Sequence, residues 1–192
     1  MIGSMYLTMS PVIVGGILNM IFTKTPLYRK HCSPIDGNKT LKDGKRIFGD
    51  NKTWTGFFSM IVFTCLAQVI KGLILSVAGG EQLDDFYIRH ENTLLYNVII
   101  GAVLGFVYML FELPNSFVKR RFDVPPGKTV GGVCGVLFYI IDQIDSLIGV
   151  MLVPVIVSGI SFGKYLLYIL LGGGTHIAVN LILYTAKVRK NL

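Results

Sequence analysis

Apolar runs and charged segments alternate along the chain, with five apolar stretches at about residues 5–22, 57–77, 94–113, 139–160 and 165–184. Each comes close to the roughly 20 residues that a helix needs to cross a bilayer. The pattern predicts an all-α integral membrane protein, a single membrane domain over residues 1–192 with five transmembrane helices. The first stretch lacks the basic start and small-residue cleavage site of a signal peptide and is read as a retained span. Two polar segments, at about 24–53 and 114–129, are the loops in which chemistry is expected. The first, at about 30 residues, is longer than an ordinary connection.

Composition agrees with this reading: 52% of the residues are hydrophobic, only 15% are charged, and the mean hydropathy is +0.61, too apolar for a water-soluble domain. The distribution of charge then orients the helices. Residues 24–53 hold eight basic side chains, Lys119, Arg120, Arg121 and Lys128 follow in the second loop, and Lys187, Arg189 and Lys190 lie in the tail. Residues 79–93 carry only Arg89 beside Glu81, Asp84, Asp85 and Glu91. The positive-inside rule therefore places the N-terminus outside and both basic loops and the tail in the cytoplasm, which requires an odd number of spans. Lys71, well inside the second stretch, is about 21 Å along a helix entering at Phe57 and is expected to snorkel to the outer surface. The net charge of +7 sits beside spans, where it reads as topology and attraction to membrane lipids rather than nucleic-acid binding.

One pair of residues breaks the apolar pattern. Asp142 and Asp145 lie three apart within the fourth stretch, and a central intramembrane Asp costs roughly 2.5 to 3.5 kcal/mol. A bound cation, a basic partner or water must offset that cost, so the pair marks a functional site. In the first loop, Asp-Gly, Asp-Gly and Gly-Asp-Asn steps supply tight turns among Lys39, Lys45, Arg46 and Lys52. Such a mixture suits polyphosphate, since glycines let backbone N–H groups approach phosphate oxygens; a solvated, topology-setting loop is the alternative. In the second loop, a helix continuing through Pro114 would put Glu112, Ser116 and Lys119 on one face. Pro125-Pro-Gly-Lys-Thr129 is not a Walker A motif, because Phe122 stands where its first glycine belongs. Gly101-Ala-Val-Leu-Gly105 and Gly131-Gly-Val-Cys-Gly135 have the spacing of close helix packing. Cys32, Cys65 and Cys134 form no disulfide or zinc pattern. His31, His90 and His176 are scattered, and His176 reads as a packing group in its helix.

These motifs together resemble the membrane CTP:lipid-phosphate cytidylyltransferases, and among them the CDP-archaeol synthases. Gly49-Asp-Asn-Lys-Thr-Trp-Thr-Gly56 is similar to that family's Lys-Thr-Trp-x-Gly loop. Ser116-Phe-Val-Lys-Arg-Arg121 followed by Asp142-Gln-Ile-Asp-Ser146 is similar to its second signature. The resemblance covers nearly the whole chain and implies an enzyme of phospholipid biosynthesis that joins CTP to a lipid phosphate, releasing pyrophosphate. It further implies Mg²⁺ as cofactor, held by Asp142 and Asp145; Lys119 as a catalytic cation; and Gly49, Asp50, Asn51, Lys52, Thr53, Ser116, Lys119, Arg120 and Lys128 around the phosphates of CTP. The CDP-diacylglycerol synthases, which use phosphatidic acid, are the neighbouring alternative, although this chain lacks the glycine- and histidine-rich stretch before their Asp pair. An ion-coupled transporter is the reading from another class, but it leaves the Gly-Asp-Asn-Lys-Thr loop unexplained and finds no internal repeat. A non-catalytic scaffold explains neither the loop nor the aspartates. A homodimer is an open assembly, on which the residues do not decide.

Overall fold

The structure, a computed structural model, describes residues 1–128 and 131–185; Thr129, at the end of the second loop, and the basic tail residues Lys187, Arg189 and Lys190 lie outside them. Among the described residues seven α-helices follow one another: α1 (Ile2–Phe22), α2 (Pro26–His31), α3 (Trp54–Ala78), α4 (Leu94–Arg121), α5 (Gly132–Val150), α6 (Leu152–Ser158) and α7 (Phe162–Thr185). There is no strand among the described residues, only two isolated bridges in the first loop, Pro34 with Thr53 and Thr40 with Arg46. Taken with α6 as a continuation of α5, five helices are long and apolar enough to cross a membrane. The break between α5 and α6 has a local cause. Pro154 has no N–H, and its ring crowds the carbonyl four residues earlier, at Val150, where α5 ends.

α3 packs along both α1 and α4, α4 along α5, and α5 along α7. The α3–α4 approach is set by glycine: a Cβ at Gly101 would lie 2.6 Å from Cys65 Cα, and one at Gly105 2.6 Å from Ile61 Cα. The spacing of that pair is therefore a packing device, as expected. Gly131 is not one, since a Cβ there meets nothing within 4 Å; it precedes Gly132, whose φ of +73° opens α5. The fourth stretch was expected to become a span near Tyr139, but it is helical from Gly132. α4 runs unbroken through Pro114 to Arg121, which aligns Glu112, Ser116 and Lys119.

At one end of the bundle, residues 79–93 fold inward as a plug. Phe86 is fully buried, and so are Asp84 and Asp85. Lys71 does not snorkel: it is 6% exposed, pairs with Asp84 and lies 5.1 Å over the Phe86 ring. Asp84 Oδ1 also accepts from Thr8 Oγ1 and from Phe86 N, both at 3.0 Å. Asp85 accepts from Lys164 Nζ and Tyr168 OH, both at 2.6 Å. The expectation failed because the partner came from the loop, which turned inward rather than leaving the lysine to reach out.

Candidate active site

At the opposite end, the two basic segments interlock. Lys45 Nζ donates to Asp123 at 2.6 Å and to the Arg121 carbonyl at 2.9 Å, while Arg121 donates to Asp43 and the Arg46 carbonyl. Asp36 organises the first loop from within. It takes Arg46 Nη2 at 2.6 Å and Nε at 3.1 Å, and the backbone N–H groups of Phe48 and Gly49 at 3.0 and 2.9 Å. Burial alone would raise the Asp36 carboxyl, but the Arg46 hydrogen bond and the N–H groups of Gly49, Phe48 and Asn38 outweigh it and hold the group well below the usual carboxylate range. The loop is thereby fixed as a cap over the ends of α3 and α4.

The Lys-Thr-Trp-x-Gly segment turns out to be a helix start. Thr53 is the N-cap of α3, with Oγ1 accepting from Gly56 N at 3.1 Å and joined to Tyr28 OH at 2.7 Å. Gly56 keeps this arrangement open, since a Cβ there would stand 3.1 Å from Thr53 Oγ1. Its first N–H groups are mostly bonded already, Trp54 N to the Ser33 carbonyl at 3.0 Å and Gly56 N to Thr53 Oγ1, so what the end of α3 offers beside Lys52 is the positive end of its dipole, which favours anions. Trp54 points elsewhere: it is 45% exposed and stacks on Phe58, the pattern of an interfacial aromatic.

Across from this helix start, α4 and α5 bring the carboxylates together. Asn115 Nδ2 donates to Asp142 Oδ1 at 2.6 Å and to Asp145 Oδ2 at 2.7 Å, so one donor holds both acids. Lys119 pairs with Asp142, and Lys52 pairs with Glu112. Burial on its own would lower the Lys52 ammonium; Glu112, with Asp145 and Asp142 behind it, holds it above the ordinary lysine range, so it is charged at neutral pH. The pair lies 10 and 13 residues into α5, about 15 and 20 Å along it. Measured on α4, it is level with Asn115, only about 9 Å before the last residue of that helix.

Between these elements lies a cavity of about 1430 Å³, mouth included. Asn51, Lys52, Thr53, Ser116, Lys119, Arg120, Asp142 and Asp145 all line it. Gly49, Asp50 and Lys128 do not: Gly49 donates to Asp36, Asp50 pairs with Arg46, and Lys128 is exposed on the second loop. Four cationic side chains, Lys24, Lys52, Lys119 and Arg120, face three carboxylates, Glu112, Asp142 and Asp145. Several lining residues had no place in the expected site. Asn115 is one, although it stands four residues before Lys119 on α4 and so shares its face. Tyr28 was outside the quoted motif, and His176 was read as packing. Asn180 is 2% exposed; its Nδ2 donates to Gln143 Oε1 at 3.0 Å and its Oδ1 has no partner among the described residues.

Residues 5–191 match the family model for CarS-like CDP-archaeol synthase. A CDP-archaeol synthase of Pyrococcus furiosus is 30% identical over 178 residues, 93% of this chain and 85% of the relative. One of Methanococcoides burtonii is 29% identical over 168 residues, 82% of this chain and 88% of the relative. A solved structure, described as that of an intramembrane enzyme for archaeal membrane lipids biosynthesis, shares the fold, with a TM-score of 0.62 at 20% identity over 92% of each chain. With a match that spans nearly its full length and five helices able to cross a membrane, this chain belongs to the CDP-archaeol synthase family and is a multi-pass membrane nucleotidyltransferase of phospholipid biosynthesis.

Proposed function

We propose that the cavity transfers the cytidylyl group of CTP to the phosphate of an isoprenoid diether lipid, giving a CDP-lipid and pyrophosphate. The observation that carries this reading is the meeting of the positive start of α3, at Lys52 and Thr53, with the Asn115-linked acids of α5 across one cavity. An oxygen of the lipid phosphate attacks the α-phosphorus of CTP. That P–O bond forms as the bond from the α-phosphorus to the bridging oxygen breaks, and pyrophosphate leaves with the electron pair. The nucleophile is already an anion, so no serine, cysteine or lysine need be activated; the protein supplies positioning and charge.

Each residue then has a task. The positive end of the α3 dipole and the Lys52 ammonium draw the phosphates, and Asn51 and Thr53 side chains donate to their oxygens. Lys119, Arg120 and Ser116, on one stretch of α4, hold the second phosphate group against the first. Asn115 keeps Asp142 and Asp145 turned to a common point. Their oxygen donors fit Mg²⁺, which takes one or two carboxylates and completes its shell with water and substrate phosphates. No cluster of three or more His, Cys, Asp or Glu side chains exists among the described residues, and an ion shared with substrate does not need one. When bound, Mg²⁺ supplies neutralisation of charge on the phosphates and on the leaving pyrophosphate. In the bilayer, the cavity faces the cytoplasm and the N-terminus lies outside; both basic segments lie at the cavity end of the bundle, which supports this orientation in the cell membrane.

The test is turnover of purified protein with CTP and Mg²⁺ on a panel of acceptors. Formation of CDP-lipid, faster with an unsaturated archaeal diether phosphate than with phosphatidic acid, is the expected result. Faster turnover of phosphatidic acid reassigns the acceptor, and no CDP-lipid from either overturns the reading. Ion flux into proteoliposomes without nucleotide would favour a transporter instead.

A further inference from the structure

We infer that a hydrocarbon chain of the lipid phosphate is seated in an apolar slot between α1 and α7, which opens into the polar cavity beside His176. This rests on the transfer reaction proposed above and names where its lipid is held. The slot is narrow, with about 70 Å³ of room within it and about 590 Å³ only when its open side is counted, and its wall from Met9 to Met20 on α1 faces Gly172 to Val179 on α7. Thr175 Oγ1 donates to Tyr6 OH at 3.1 Å, which ties the two helices together on the side toward the α1 N-terminus.

Two observations identify the occupant. Gly16, Met20, Tyr108 and His176 line both the slot and the polar cavity, so a molecule in the slot has its polar end among the phosphate-binding residues. Gly16 is the doorway: a Cβ there would meet nothing within 4 Å, so the missing side chain leaves space rather than permitting helix contact. The dimensions agree as well. Met9 to Met20 spans about 16 Å of helix, close to half of the roughly 30 Å hydrocarbon core, which is the depth one leaflet's lipid tail occupies. A second apolar groove, between Phe48 of the first loop and Leu110, Leu113 and Phe117 on the other side of α4, shares only Phe48 with the polar cavity. A chain lying there would have no comparable path to the acids.

The experiment uses the wild-type protein and a diether lipid phosphate carrying a diazirine on one isoprenoid chain. Photolabelling at Ile13, Ile17, Met20 or Val179 is expected; labelling concentrated at Leu110, Leu113 or Phe117, or spread without preference over the helices, overturns the slot. Kinetics give a second readout. Ile17→Trp fills the slot without touching the polar cavity, and it should raise KM for the lipid phosphate at least about tenfold while KM for CTP stays within twofold. Leu110→Trp, in the other groove, should leave both values unchanged. Unchanged lipid KM in Ile17→Trp, or a raised one in Leu110→Trp, overturns the inference. If wild-type protein forms no CDP-lipid, the reaction is at fault; if it does and the label lies elsewhere, only the slot falls.

Discussion

The two ends of the helix bundle solve the same electrostatic problem in opposite ways. At the plug end, Lys71 with Asp84 and Lys164 with Asp85 are packed shut: both acids are at most 2% exposed, and each also accepts from a hydroxyl, Thr8 or Tyr168. At the cavity end, Lys119 with Asp142 and Lys52 with Glu112 surround open space. Asp142 keeps 39% of its side chain accessible. Charge within apolar helices therefore does not by itself mark chemistry. What separates the ends is open space beside the charge pairs. The closed end is a structural clamp, and the open end leaves its charges accessible.

Substitutions that treat the ends alike should divide them. Lys71→Met leaves Asp84 buried without its cation and should destabilise the protein by about 3 to 5 kcal/mol, read as a lowered unfolding midpoint in detergent, with turnover per folded molecule unchanged. Adding Asp84→Asn should recover most of that loss; failure to recover would mean that the clamp does more than balance charge. At the other end, Asp145→Asn should reduce kcat/KM by about 10² to 10³ with no loss of melting temperature. Full activity in that variant would remove Asp145 from the reaction. Asn115→Ala, which frees both acids without deleting either, should reduce kcat by about tenfold or more and weaken the dependence on Mg²⁺ concentration. Asp36→Asn should have the smallest effect, a KM for CTP raised a few-fold, together with faster proteolysis of the first loop. Because the folded Asp36 carboxyl is depressed, its contribution is fully present above the ordinary carboxylate pKa of about 4 and fades only as pH falls through the lower folded value. Wild-type loop protection should thus persist at pH 5, where the Asn variant already lacks it.

Much of this arrangement was legible in the residues. Runs of about twenty apolar residues have one physical outcome in a bilayer, so the existence of five long helices was readable though not their ends, since α4 runs on to Arg121 and α5 starts at Gly132, and Asp142 and Asp145 stood out by their cost. The Lys52-Thr53 segment was recognisable as a motif, but its role as the cap of α3 depends on Tyr28 and Gly56 meeting Thr53 in space. Asn115 escaped because a lone amide beside Pro114 carries neither charge nor pattern; only the helix running through that proline sets it opposite α5. Lys71 was misread for a related reason, since snorkelling follows from its own helix whereas its partner Asp84 arrives from a loop that folds back. Gly49 and Asp50 belong to the same recognisable segment as Lys52 yet turn toward Asp36 and Arg46, a division of labour that no linear motif encodes.

The clamp of Asn115 and Lys119 on Asp142 and Asp145 also has a consequence for how the protein is made. Synthesis runs from the N-terminus, so α4 emerges before the acid-bearing α5. A segment with two carboxylates is a poor candidate for entry into lipid on its own. Here its amide and ammonium partners have already been delivered, together with the polar wall that the earlier helices give to the cavity. The order of helices along the chain gives the acids a reception site before they arrive, so α5 enters against protein rather than against bare hydrocarbon.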